Sequence, residues 1–211
     1  MLREDIKDFL NTIPKDVTIV AATKYVGYNE MIDLYNAGVN NFGENRTDAF
    51  LDKYNHLFEY DIKWHFIGHL QKNKCKDIIN KIDFLHSLDS LELANKIEKY
   101  RVNKLDTFIE VSVNLEENKN GVPYYELDNF FKEVLKYKKI NVVGLMMMAV
   151  KNDNEEDLHN EFSKLKSLKE ELEKKFNVNL PYLSMGMSDD YKEAIDCGAT
   201  HIRLGRILWK I

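Results

Sequence analysis

The sequence has no apolar run approaching the roughly 20 residues that a membrane-spanning helix needs. Its N-terminus, Met1-Leu2-Arg3-Glu4-Asp5, carries acidic residues where a secretory signal would place a hydrophobic stretch. It also lacks a basic excess. Thirty Lys and Arg against 35 Asp and Glu leave a net charge of −5, with the two signs interspersed. That argues against a nucleic-acid partner and against a polybasic membrane anchor. Cysteine is scarce: Cys75 and Cys197 sit in helical patterns with no metal-ligand spacing. They read as two reduced thiols of a cytoplasmic protein that binds no metal. No linker, repeat or low-complexity tract divides the chain. At 211 residues, 44% hydrophobic and 31% charged, residues 1–211 read as one soluble globular domain with a sizeable core.

What the sequence does have is alternation. β-rich apolar segments at 17–23, 41–44, 62–67, 84–88, 107–113, 142–148, 180–183 and 201–204 are separated by helical patterns at 29–37, 47–57, 71–80, 90–102, 123–137, 154–176 and 189–197. Strand and helix in regular turn mean parallel strands joined by right-handed crossovers. The fold class is α/β, and eight units predict closure into a (β/α)8 barrel; a doubly wound open sheet is the alternative. Residues 3–10 are expected to stand in for the helix missing after the eighth strand. The charged run 151–175 reads as a solvated helix face with a buried stripe of Leu158, Phe162, Leu165, Leu168 and Leu172.

In such a barrel the chemistry lies at the C-terminal ends of the strands. The first ends in Thr23-Lys24, and alternation puts Thr18, Val20, Ala22 and Lys24 on one face. If that face is the inner one, Lys24 rises into the mouth, desolvated between Val20 and Val26, with a lowered pKa and an amine able to attack an aldehyde. A lysine snorkelling from the strand end to water is the alternative. Gly43-Glu44-Asn45-Arg46 suits close approach of the backbone to a ligand, and equally starts an ordinary helix. His65 and His69 straddle a strand and its loop; one of them bonding a loop carbonyl is expected rather than a metal pair. The fifth strand should turn Glu110, Ser112 and Asn114 inward and Ile109, Val111 and Val113 toward the helices. Met146, Met147 and Met148 read as core filling or pocket lining. The last two strands end in Ser184-Met185-Gly186-Met187-Ser188 and Arg203-Leu204-Gly205. One of these loops feeds a helix N-terminus and the other adds a glycine and a guanidinium, a cup suited to a phosphate.

Together these segments resemble one family. Lys24 in Ala-Ala-Thr-Lys, Phe42 to Arg46, Trp64 to Lys74, Glu116 to Gly121 (Glu-x-x-Lys-x-Gly), Gly144-Leu145-Met146, Leu183 to Ser188 and Arg203-x-Gly205 are similar, in order and spacing, to the pyridoxal phosphate homeostasis proteins. That group resembles the N-terminal barrel of alanine racemase without its second domain. The resemblance implies that pyridoxal 5′-phosphate (PLP) is held as a Schiff base on Lys24. It implies a phosphate cradle at Ser184, Met185, Gly186, Met187 and Ser188, with further backbone donors at Gly205 and Arg206. Arg203 matches the arginine that faces the pyridine nitrogen in alanine racemase, with the phosphate as its other possible contact. Asn45 would neighbour the ring hydroxyl or the imine.

Arg206 departs from the small hydroxyl residue usual after Arg-x-Gly, Ser112 from a usual asparagine, and Ile211 ends the chain short of the usual tail. A racemase of the alanine type needs a second base, a tyrosine from a second domain of a partner subunit. None follows here, so no catalytic residue is assigned. The resemblance implies a monomeric, cytoplasmic PLP carrier that buffers the cofactor or delivers it to PLP-dependent apo-enzymes. A PLP-dependent racemase of low activity, and a PLP-independent Schiff-base or sugar-phosphate barrel enzyme, are the alternatives.

Overall fold

The computed structural model describes residues 1–115, 120–150 and 154–210. Glu116 to Lys119, four residues of the Glu-x-x-Lys-x-Gly motif, lie outside them, as do residues 151–153 and Ile211. In chain order the strands are β1 (Thr18–Ala22), β2 (Asn41–Glu44), β3 (Lys63–Phe66), β4 (Phe84–Leu88), β5 (Leu105–Ser112), β6 (Val122–Pro123), β7 (Ile140–Met146), β8 (Tyr182–Ser184) and β9 (His201–Leu204). Neighbours run β4-β3-β2-β1-β9-β8-β7-β5, and β4 also pairs with β5, so eight parallel strands close on themselves. The open-sheet alternative is excluded. The two-residue β6 is an appendage on the end of β5.

The helices are α1 (Ile6–Asn11), α2 (Tyr28–Asn36), α3 (Thr47–Leu57), α4 (Cys75–Ile78), α5 (Leu91–Tyr100), α6 (Leu127–Val134), α7 (Glu155–Phe176) and α8 (Tyr191–Asp196). Local chemistry sets their ends. The Ser90 hydroxyl accepts from the Leu93 amide at the start of α5, and Asn154 does the same for Asp157 at the start of α7. Helix α7 opens on Glu155, Glu156 and Asp157, closes on Lys174 and Lys175, and stops at Asn177 in the left-handed conformation. Its stripe of Leu158, Phe162, Leu165 and Leu172 is buried, and Leu168 partly so. Helix α4 is shorter than the pattern at 71–80 suggests, a single turn preceded by a Lys74-to-Gln71 backbone turn. Pro123 similarly replaces the start of the 123–137 helix with a 3₁₀ turn. The N-terminal segment packs beside the last crossover: Leu2 bridges Trp209, and Phe9 meets Tyr191 of α8 edge-on at 6.1 Å.

An outer core lies between barrel and helices, and a small inner one holds Phe108, Val143 and Met146 with Phe84 and Tyr182. A bulge explains why Val143 and Met146 both face inward. Thr107 pairs with Val142 and Phe108 with Gly144, which leaves Val143 as an extra residue in β7. The bulged strand then crowds β8: a Cβ on Gly144 would lie 1.9 Å from the Tyr182 carbonyl oxygen. Gly144→Ala is therefore expected to lower the unfolding free energy by about 3 kcal/mol, read as a urea midpoint; an unchanged midpoint would show that the strands separate freely there.

Candidate functional site

Strand β9 runs between β1 and β8, so the loops leaving Ala22, Ser184 and Leu204 converge at the C-terminal rim. A cavity of about 190 Å³ opens there, bounded among others by Lys24, Met187, Ser188, Arg203, Gly205 and Arg206. Six of the ten site residues read from the sequence thus meet in one place. Lys24 is not desolvated as expected. β1 ends at Ala22, so the chain has left the sheet before Lys24; Val20 is buried below, while Lys24 is exposed with its Nζ 4.9 Å from the Tyr25 ring centroid.

The two loops offer an anion several donors. Among the described residues, no hydrogen bond engages the backbone amides of Ser188, Asp189 and Arg206. The Ser188 hydroxyl accepts from the amides of Gly205 at 3.1 Å and Ile207 at 3.5 Å, which ties the two loops together. Gly186, at φ +90°, turns the chain tightly against α8, where a Cβ would lie 2.6 Å from that of Ala194. Its carbonyl accepts from the Arg203 amide. The remaining loop members face elsewhere: the Met185 amide donates to the His201 carbonyl and its side chain enters the outer core, while the Met187 amide donates to the Asp190 carboxylate. The Arg206 guanidinium forms an exposed ion pair with Asp189 at the outer edge of the cavity. Three unpaired amides beside a side-chain-free Gly205 suit a phosphoryl group.

Below the cavity, Arg203 is 5% exposed. Its guanidinium donates to Ser184 Oγ at 2.7 Å and to the Met147 carbonyl at 2.9 Å. Burial draws its pKa down to about 10, against the pull of Asp190 and Glu110, so it stays cationic at neutral pH. The Ser184 hydroxyl is fully buried and serves Arg203 and His86 rather than the cavity. His86 bonds His65, and His65 bonds Asn41 rather than a loop carbonyl. His69 is half-exposed and pairs with Asp89 at 3.1 Å. Burial pushes His65 and His86 well below the usual histidine range and His201 to about 4. Among the described residues, no three His, Cys, Asp or Glu side chains are grouped to hold a metal ion.

Glu110 faces this interior, 7% exposed, and burial beside Asp89 raises its pKa to about 7. Ile109, Val111 and Val113 join the outer core as expected. Asn114 does not turn inward: it lies past the end of β5, exposed, and donates to Glu161 of α7. Of the methionine run, Met146 and Met147 are buried and Met148 is exposed.

Glu44 is no ligand contact either. It is fully buried, accepts from the Thr23 hydroxyl at 2.6 Å and forms an ion pair with Lys53 of α3, whose ammonium also donates to the Thr23 carbonyl. That clamp holds the peptide immediately before Lys24. Asn45 lines a neighbouring cavity of about 690 Å³, with Arg46, His69 and Lys74, and its Oδ1 is buried without a partner. The sequence reading missed Lys53, His86 and His201. Lys53 was detectable, since it shares the buried stripe of α3 with Phe50 and Leu57.

Comparison with known proteins decides the family. The model of the alanine racemase N-terminal domain matches residues 1–211. A pyridoxal phosphate homeostasis protein of Aquifex aeolicus is 42% identical over 194 residues, 90% of this chain and 85% of the relative. The chain belongs to this family. Another member named pyridoxal phosphate homeostasis protein, from Synechocystis, is 35% identical over 206 residues, 96% of this chain and 94% of the relative. Among solved structures, the family member PipY of Synechococcus elongatus PCC7942, with PLP bound, superposes with a TM-score of 0.89 at 27% identity, over 97% of this chain and all of that one. An alanine racemase of Clostridium difficile shares the barrel, with a TM-score of 0.82 at 16% identity, and this chain covers 58% of its length.

Two outcomes test these interior groups. Lys53→Met leaves Glu44 buried without its cation and should cost about 3 kcal/mol in urea unfolding; a cost near zero would mean that water reaches Glu44. Glu110 titrates at about 7 when folded against 4.5 when free. The folded chain then binds the extra proton between those values, so this stability is present below about 4.5 and lost as pH rises through 7. Glu110→Gln should therefore gain stability relative to wild type by on the order of 2 kcal/mol between pH 5 and pH 8; equal unfolding midpoints at both pH values would sink the assignment.

Proposed function

We propose that this chain binds pyridoxal 5′-phosphate, with Lys24 as its covalent anchor, and that it holds and hands on the cofactor rather than catalysing with it. The carrying observation is the single cavity that gathers Lys24, Ser188, Arg203, Gly205 and Arg206 at the ends of β1, β8 and β9. The names of the relatives and the PLP-bound PipY support it. When bound, the cofactor supplies an aldehyde that amines capture reversibly and a pyridine ring that withdraws electrons.

The amides of Ser188, Asp189 and Arg206 would hold the phosphate, with the bond from the Gly205 amide to the Ser188 hydroxyl between them. Arg203 would be the cationic side chain toward the ring. A guanidinium has donors only and gives up no proton, so Arg203 would favour an unprotonated ring nitrogen, a weaker electron sink. Exposed Lys24 leaves its amine open to water and to competing amines, which favours exchange over retention. On the same reading the chain is a single domain, monomeric and cytoplasmic, and passes its cargo to PLP-dependent apo-enzymes; two buried free cysteines suit that compartment.

Lys24→Ala should abolish the visible absorption of PLP-loaded protein after dialysis while leaving the far-ultraviolet circular dichroism intact. In wild type, borohydride reduction and mass analysis should find the added mass on the peptide containing Lys24. Retained absorption in the variant, or the mass on another lysine, would overturn the anchor.

A further inference from the structure

An unbroken hydrogen-bonded chain crosses the barrel interior. Asn41 Oδ1 meets His65 Nε2 at 2.9 Å, His65 Nδ1 meets His86 Nε2 at 2.9 Å, His86 Nδ1 meets Ser184 Oγ at 2.8 Å, and Ser184 Oγ meets Arg203 Nη1 at 2.7 Å. His65, His86 and Ser184 are fully buried. The two ends decide every proton between them. Arg203 has only donors, so it donates to Ser184 Oγ. At the far end, Asn41 uses its amide nitrogen to donate to Asn40 Oδ1 at 2.9 Å, which turns its own Oδ1 toward His65. His65 therefore donates from Nε2. A neutral imidazole carries one N–H, so His65 accepts at Nδ1, His86 donates from Nε2 and accepts at Nδ1, and the Ser184 hydroxyl proton goes to His86. Every donation runs one way, from the cation to Asn41.

We infer that His65, His86 and Ser184 are positioning residues for Arg203: a one-way donor chain, built on two neutral Nε2–H histidines, that fixes the roll of the guanidinium beside the cavity. Packing alone does not require histidine at these places. The His65 ring stacks on Phe84 at 4.6 Å and the His86 ring on Phe108 at 4.4 Å, so a phenyl ring would fill either site. What the imidazoles add is an acceptor on one side and a donor on the other. The Ser184 hydroxyl cannot serve as acceptor for Arg203 and still place its own proton, fully buried, unless His86 takes it. The Met147 carbonyl then supplies the second fixed point, and two points set the plane of the guanidinium. A second proton on His65 or His86 would set two donors face to face, and the direction of the low pKa values of both agrees.

For its cofactor readout alone, this inference rests on the proposed PLP site; its tautomers do not. Long-range ¹⁵N–¹H NMR of the cofactor-free wild type should show His65 and His86 both protonated at Nε2, with slowly exchanging Arg203 side-chain N–H signals. Either histidine protonated at Nδ1 would overturn it. His86→Phe keeps the ring and removes the chain: the Arg203 side-chain signals should broaden or vanish, and PLP retention should weaken about tenfold. Ser184→Ala should do the same, and Ser184→Thr, which keeps the hydroxyl, should restore the signals. Unchanged Arg203 signals in both His86→Phe and Ser184→Ala would overturn the positioning role. If Lys24→Ala retains PLP absorption while the tautomers are found as stated, the cofactor reading fails and the hydrogen-bond chain stands.

Discussion

The interior of this barrel is organised around one buried cation. Arg203 sits near the centre of the rim end, 5% exposed, where the cost of removing charge from water is high. Two acceptors meet it, Ser184 Oγ and the Met147 carbonyl, and Asp190 and Glu110 lower its energy from a distance. Much else is consistent with that demand. Ser184 turns its hydroxyl inward instead of toward the loop, and His86 and His65 carry the hydroxyl's proton debt to Asn41 at the base of β2. The β8 to β9 pairing is a single register match, Ser184 with His201, so the side-chain bond from Arg203 to Ser184 joins two strands whose ladder is short.

A different device holds the adjacent wall of the site, where β1 lies beside β9. Glu44, Lys53 and Thr23 form a closed group that links β1, β2 and α3 at the peptide before Lys24. Buried ion pairs contribute little net stability compared with apolar packing, and they impose geometry. Here the geometry is the exit angle of the chain at Lys24. Lys24 is therefore exposed at its tip and fixed at its root, a combination that would suit the proposed anchor, reached by other molecules without wandering from the cavity.

The eight strands and their crossovers were legible because apolar β-rich segments alternate with helical patterns, two of which start on a capping side chain, Ser90 and Asn154. The rim loops were legible from their residue types: Gly186 stands where the chain must turn tightly, next to Ser188, and Gly205 follows Arg203 at the end of the last strand. The interior column was not. His65, His86 and Ser184 lie on three strands, and the His86 to Ser184 bond spans 98 positions, so no local pattern announces it. Strand alternation also overreached at two ends. It carried β1 as far as Lys24 and β5 as far as Asn114, while the sheet stops at Ala22 and Ser112 and the next residues answer to solvent and to α7.

The exposure of Lys24 has a consequence for how long cargo stays. If the exposed amine of Lys24 is the proposed anchor, water would reach its link to the cofactor, and that bond would set no clock. Residence time would then fall to the contacts around the phosphate, the amides of Ser188, Asp189 and Arg206, while the ion pair of Arg206 with Asp189 ties together the two loops that carry them. The dial for dwell and release would then sit on the loops that leave β8 and β9, beside the residue proposed to do the bonding.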